Sequence, residues 1–169
     1  TGILLSLDLT SKVIEEAQTL GCNLILTHHP LIMEPLKRIV SDEPVSDMII
    51  KLISGNISFF CAHTNLDMAA EGVNAVLARR LGLVNVSGIE KYGDCDEALM
   101  GELQTDMDPE GFAAYVRDCL HCDSVQLLNG GRPVRKVALC GGAGGSLLNA
   151  AIRSGADAFV TGEAKHNQM

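Results

Sequence analysis

The sequence predicts an α/β fold of two similar lobes built on β-α-β units, with parallel or mixed sheets, and three observations predict it. Short apolar runs alternate with segments whose apolar residues recur every three to four positions, the strand and helix periods of a layered α/β protein. Glycines stand where the helical stripes stop, at Gly21, Gly55 and Gly82. Residues 137–163 also lie over residues 3–29 without a gap, at a constant offset of 134 that matches Leu139 to Leu5, Ala151 to Ala17, Gly155 to Gly21 and Thr161 to Thr27. That self-similarity reads as an internal repeat, with Gly162 and Glu163 in the places of His28 and His29.

Taken in order, Ile3 to Leu7 is the first strand. Thr10 or Ser11 then caps a helix with Val13, Ile14, Ala17 and Leu20 on one stripe. Leu24 to Leu26 is the next strand, so residues 3–29 form a β-α-β unit with a right-handed crossover. A second helix carries Met48, Ile49, Leu52 and Ile53, and Ile57 to Ala62 is a third strand. Asp67 is placed to cap a helix with Val73, Val76, Leu77 and Leu81 inward. The polar, glycine-containing stretch from Leu83 to Glu97 reads as a linker or exposed loop, and Leu99 to Leu103 as a strand. Asp108-Pro109 opens a helix with Phe112, Val116 and Leu120 inward. Val125 to Leu128 and Val134 to Leu139 read as strands flanking an NGG turn. The predicted division is a first lobe over 1–88 and a second, partial lobe over 89–169.

Composition narrows the function classes. Thirteen Lys and Arg stand against 21 Asp and Glu, a formal charge of -8, with no basic patch to offset the repulsion from a nucleic-acid backbone. Mean hydropathy is +0.20, yet polar residues break every apolar run short of a membrane span, so neither nucleic acid nor membrane is an expected partner. Six cysteines without framework spacing point to a reducing, cytoplasmic setting. The chain opens inside a core strand without an initiating Met, which reads as a fragment or a trimmed sequence.

The chemistry concentrates in two motifs at strand ends. In THHPL, residues 27–31, adjacent side chains of a strand would point to opposite faces, so His28 and His29 can act together only where the strand has ended. That end is the carboxyl edge, where open α/β sheets bind ligands. CAHTNLD, residues 61–67, delivers His63 and Asp67 to the same edge. Three imidazoles and a carboxylate suit Zn, Mn, Fe, Co or Ni, and a bridging carboxylate holds two ions about 3.5–4 Å apart. The alternatives are a loop without ligand for the paired histidines, a helix cap for Asp67 and a supporting role for His63. Cys119 and Cys122 form a CxxC without a second pair and read as core, and the glycines at 141–145 read as a tight turn. His121 has no evident partner, and His166 stands near Glu163.

The order LDLT, THHPLI, AHTNLD, VALCGGAG, GADAFVTGE resembles the Nif-three-like family, whose members are also described as GTP cyclohydrolase type-two homologues. The resemblance covers nearly the whole chain. It implies two α/β lobes facing a shared pocket with two divalent ions, His28 and His29 ligating different metals, Asp67 as the aspartate ligand and His63 as a pocket histidine. It implies two further ligands, a His and a Glu in a G-H-x-x-[ST]-E segment after Met169, and a segment before the first strand; Asn167 stands where many members carry His. It also implies a ring-shaped homo-hexamer. The expected function is a metal-dependent hydrolase that turns water on a nucleotide-like small molecule, with His63 and Glu163 as catalytic candidates. The alternative is a metal-binding scaffold or interaction protein without catalysis. A DHH-type phosphoesterase would want Asp where Thr27 stands.

Overall fold

The computed structural model of the chain describes residues 2–168, and packing divides them between Asn65 and Leu66. The first unit runs β1 (Ile3–Ser6), α1 (Ser11–Thr19), β2 (Leu24–Thr27), α2 (Pro44–Ser54) and β3 (Ser58–Cys61). Its sheet is parallel in the order β1-β2-β3. Thr10 caps α1 by accepting the Val13 amide at 3.2 Å, and Pro44 starts α2 where a missing N–H costs nothing. The helices bury Ile14, Ala17 and Leu52 with Ile25 and Ile57, while Leu4 and Phe59 pack in from the neighbouring strands. Each fully buried aliphatic side chain contributes about 2 kcal/mol. The other face of this sheet is open, with Ile3, Leu5 and Phe60 more than half exposed.

The second unit opens with α3, a single turn over Thr64–Asp67 at the junction, followed by α4 (Val73–Arg80), β4 (Val84–Tyr92), β5 (Cys95–Met107), α5 (Pro109–Leu120), β6 (Val134–Cys140), α6 (Leu148–Arg153) and β7 (Ala158–Thr161). Its sheet runs β4-β5-β6-β7, antiparallel up to β6 and parallel between β6 and β7. Val137 and Leu139 of β6 are fully buried against Ala78 and Leu81 from the α4 end and Phe112 and Val116 of α5. Cys140 faces the other way, toward Ala98 and Leu147.

Three expectations change. The polar stretch 83–97 is not a linker: it is β4 and the start of β5, joined at Gly93-Asp94. An edge strand with most side chains exposed carries no apolar alternation to announce it. Val125 to Leu128 is not a strand, because β6 already has β5 on one side and β7 on the other and offers no edge. The NGG segment instead closes on itself, with the Gly131 amide on Asn129 Oδ1 at 2.6 Å and Asn129 Nδ2 on Glu110 at 2.7 Å. The division falls at 65/66 rather than 88, because Ala78 and Leu81 join the core of the second unit.

The offset of 134 recurs in the backbone. Ile3 pairs with Leu24 and Ser6 with Thr27, as Val137 pairs with Ala158 and Cys140 with Thr161. The Asn23 amide donates to Gly2 O and the Asp157 amide to Lys136 O, while Cys22 and Ala156 return to Ala17 and Ala151. Gly21 and Gly155 both take left-handed φ, +67° and +78°, with open space where a Cβ would stand.

A three-imidazole cluster at the strand ends of the first unit

β2 ends at Thr27, a fully buried residue whose hydroxyl donates to the carbonyl of His29 at 2.7 Å. The His29 amide donates to Leu7 O at 3.0 Å, so the chain is tied to β1 just as it leaves the sheet. β3 ends one strand over at Cys61; there the Ala62 amide donates to Thr27 O at 2.8 Å and the Cys61 thiol to His28 O at 3.1 Å. These bonds fix the ends of β2 and β3 against each other and bring His63 beside the paired histidines.

The ring centroids lie 5.1 Å apart for His28 and His29, 5.1 Å for His28 and His63, and 5.8 Å for His29 and His63. One nitrogen from each ring comes within 4.8 Å of the others. His29 is exposed and the other two are half-buried, so the cluster opens to solvent on one side.

Two of the rings have a determinate proton position. His28 Nδ1 sits 2.8 Å from the Ala62 carbonyl and His29 Nδ1 sits 2.7 Å from Asp8 Oδ1. Carbonyl and carboxylate oxygens only accept, so each Nδ1 carries the hydrogen and the lone pair of each neutral ring is on Nε2. His63 Nδ1 meets the Thr64 hydroxyl at 3.4 Å. Imidazoles held at Nδ1 by an oxygen and presenting Nε2 are the arrangement in which histidine ligates a metal, so the donor set fits a divalent transition ion.

The remaining candidates belong to the second unit. Asp67 closes α3 and does not cap α4, whose cap is Gly72. Its charge, with that of Glu97, adds to burial in pushing the Cys140 thiol up to about 11, so that thiol is protonated and unreactive near neutrality. Glu163 follows β7, its amide donating to Gly142 O at 2.9 Å and its carbonyl accepting from Thr161 at 3.4 Å. His121 ends α5 in the left-handed region at φ +56°, a structural cap, and His166 opens a short 3-10 turn. Cys119 packs beside the core and Cys122 is exposed. Sequence reading missed Asp8 and the Ala62 carbonyl as partners of the cluster. Asp8 carried a signal, a charge directly after an apolar strand at the ligand-binding edge, whereas a main-chain oxygen carries none.

The profile of the family described as Duf34/NIF3 (NGG1p interacting factor 3) matches residues 1–169. A GTP cyclohydrolase 1 type 2 homolog of Clostridium acetobutylicum is 31% identical over 99% of this chain and 65% of its own length. The NGG1-interacting factor 3 of Saccharomyces cerevisiae is 32% identical over 100% of this chain and 64% of its own. The chain thus spans just under two thirds of these relatives. Among solved structures, a Staphylococcus aureus hypothetical protein superposes with TM-score 0.84 at 30% identity, covering 99% of this chain and 69% of that one. A Bacillus cereus protein related to NIF3 superposes at 0.80 and 25% identity, covering 98% and 73%. Among the described residues no helix is long and apolar enough to cross a membrane.

Proposed function

The chain belongs to the Duf34/NIF3 family, and on that premise we propose that it is a divalent-metal-dependent hydrolase acting on a nucleotide-like small molecule. The observation that carries this reading is the cluster of His28, His29 and His63, with two Nδ1 protons pinned by acceptor-only partners. His28 and His29 would each offer Nε2 to an ion. The resemblance adds Asp67 as a carboxylate ligand, and a His and a Glu from a segment after residue 169, for a pair of ions. A bound divalent ion lowers the pKa of coordinated water toward about 7 and so supplies hydroxide near neutral pH. His63, ring to ring with both partners, is suited to take or return a proton, and Glu163 to contact substrate. The shared offset of the two β-α-β units supports reading them as copies of one ancestral unit, and the resemblance supports self-association into a ring.

Elemental analysis with turnover assays tests the reading. The protein purified with Mn, Zn or Co should carry bound ion and open or cleave a nucleotide such as GTP. The His28→Ala, His29→Ala double variant should lose bound metal by at least about 100-fold in affinity. Unchanged metal content in that variant would sink the assignment. The yeast relative's name, an interacting factor, favours a second reading as a metal-binding interaction protein; a metal-loaded protein that turns over none of the nucleotides would favour it.

A further inference from the structure

Resting on the metal-binding reading above, we infer that Asp8 is a positioning residue for His29, a carboxylate that fixes which nitrogen of that ring faces the ion. Asp8 stands two residues beyond β1 and 21 positions from its partner in the chain, so the contact is made by the fold and not by local sequence. Its own place is set on both sides. The Ser6 hydroxyl donates to Asp8 O at 2.8 Å, and Leu9, the next residue, is buried in the core. The His29 amide donates to Leu7 O at 3.0 Å. The backbone of His29 and its ring are therefore anchored to adjacent residues of one short segment, which leaves the ring little rotational freedom.

The two paired histidines differ in what holds them. His28 donates to a neutral main-chain carbonyl, and His29 donates to an anion. A carboxylate partner draws the Nδ1 proton more strongly, leaves more electron density on Nε2 and so makes His29 the stronger donor of the pair. The side chains of Asp8 and His29 are 57% and 45% exposed, so the pair adds little to folding stability and its value lies in orientation.

Asp8→Ala and Asp8→Asn separate orientation from charge, because Asn keeps an acceptor oxygen while losing the charge. Long-range ¹H–¹⁵N correlation spectra of the metal-free protein read the His29 tautomer directly, and zinc competition against a chelator reads affinity. In the starting protein His29 should be protonated at Nδ1. Asp8→Ala should shift the ring toward the Nε2-protonated form and weaken zinc about 10–100-fold, with the melting temperature nearly unchanged. Asp8→Asn should keep the Nδ1 proton and lose less affinity. A His29 that stays Nδ1-protonated in Asp8→Ala overturns the inference, as does unaltered zinc affinity in that variant. A starting protein that takes up no zinc would defeat the metal reading, while the tautomer of the metal-free protein would still decide the role of Asp8.

Discussion

β1-α1-β2 and β6-α6-β7 share a strand register, a left-handed glycine before the second strand and a threonine at its end, yet they have been put to different uses. In the first, the residues after the threonine are His28 and His29. In the second they are Gly162 and Glu163, and the threonine hydroxyl binds the glycine loop instead, accepting from the Gly144 amide at 2.9 Å and donating to Gly142 O at 3.0 Å. The burial differs as well. Leu139 is wholly enclosed, whereas Leu5, its counterpart, is 70% exposed. The backbone of a β-α-β unit thus fixes where a strand ends without fixing what stands there or what covers the sheet.

The largest stability contrast expected from this pair comes from truncating the two equivalent leucines. Leu139→Ala should cost about 2–5 kcal/mol in urea unfolding, the range for a fully packed leucine. Leu5→Ala should cost less than about 0.5 kcal/mol. Equal losses would mean that the open face of the first sheet is covered in solution.

A smaller effect tests the likeness of the two units. Gly21→Ala and Gly155→Ala meet no neighbouring atom, so each should cost only the strain of a left-handed alanine, about 1–2 kcal/mol, and the two costs should agree. A large difference would show that the turns are built differently.

The smallest effect is a pH dependence confined to one unit. The Cys140 thiol is raised from 9.0 to about 11, mainly by burial and then by the charges of Glu97 and Asp67. Between those two values the unfolded chain has lost this proton while the folded chain keeps it, so the stabilising contribution is whole below pH 9 and falls as pH rises toward 11. Denaturation measured from pH 8 to 11 should show this slope flattened in Cys140→Ala. Serine occupies the matching place in the first unit, at position 6, and brings no such dependence.

Much of this architecture was legible in residue patterns, and the failures have physical causes. Helices whose ends are written in side chains, such as Thr10 on α1 and Asp108 on α5, begin where their caps predict. β4 escaped notice because an exposed edge strand has no buried face to impose alternation. Val125 to Leu128 misled for the opposite reason: apolar residues can only become a strand where a sheet has an edge to offer. The histidine cluster was legible in kind, since paired imidazoles at a strand end leave few other uses, but its partners were not. Asp8 and Ala62 are joined to it by hydrogen bonds across 21 and 34 positions.

The border strand β4 carries one more consequence. Its register against β5 shifts between Val84 and Ser87, between Gly88 and Glu90, and again between Glu90 and Lys91. A newcomer laid alongside would find donors and acceptors out of step every few residues, with charged side chains at Glu90 and Lys91. Such irregularity denies passing chains a straight template, and a nine-residue margin is thereby protected against runaway fibre growth.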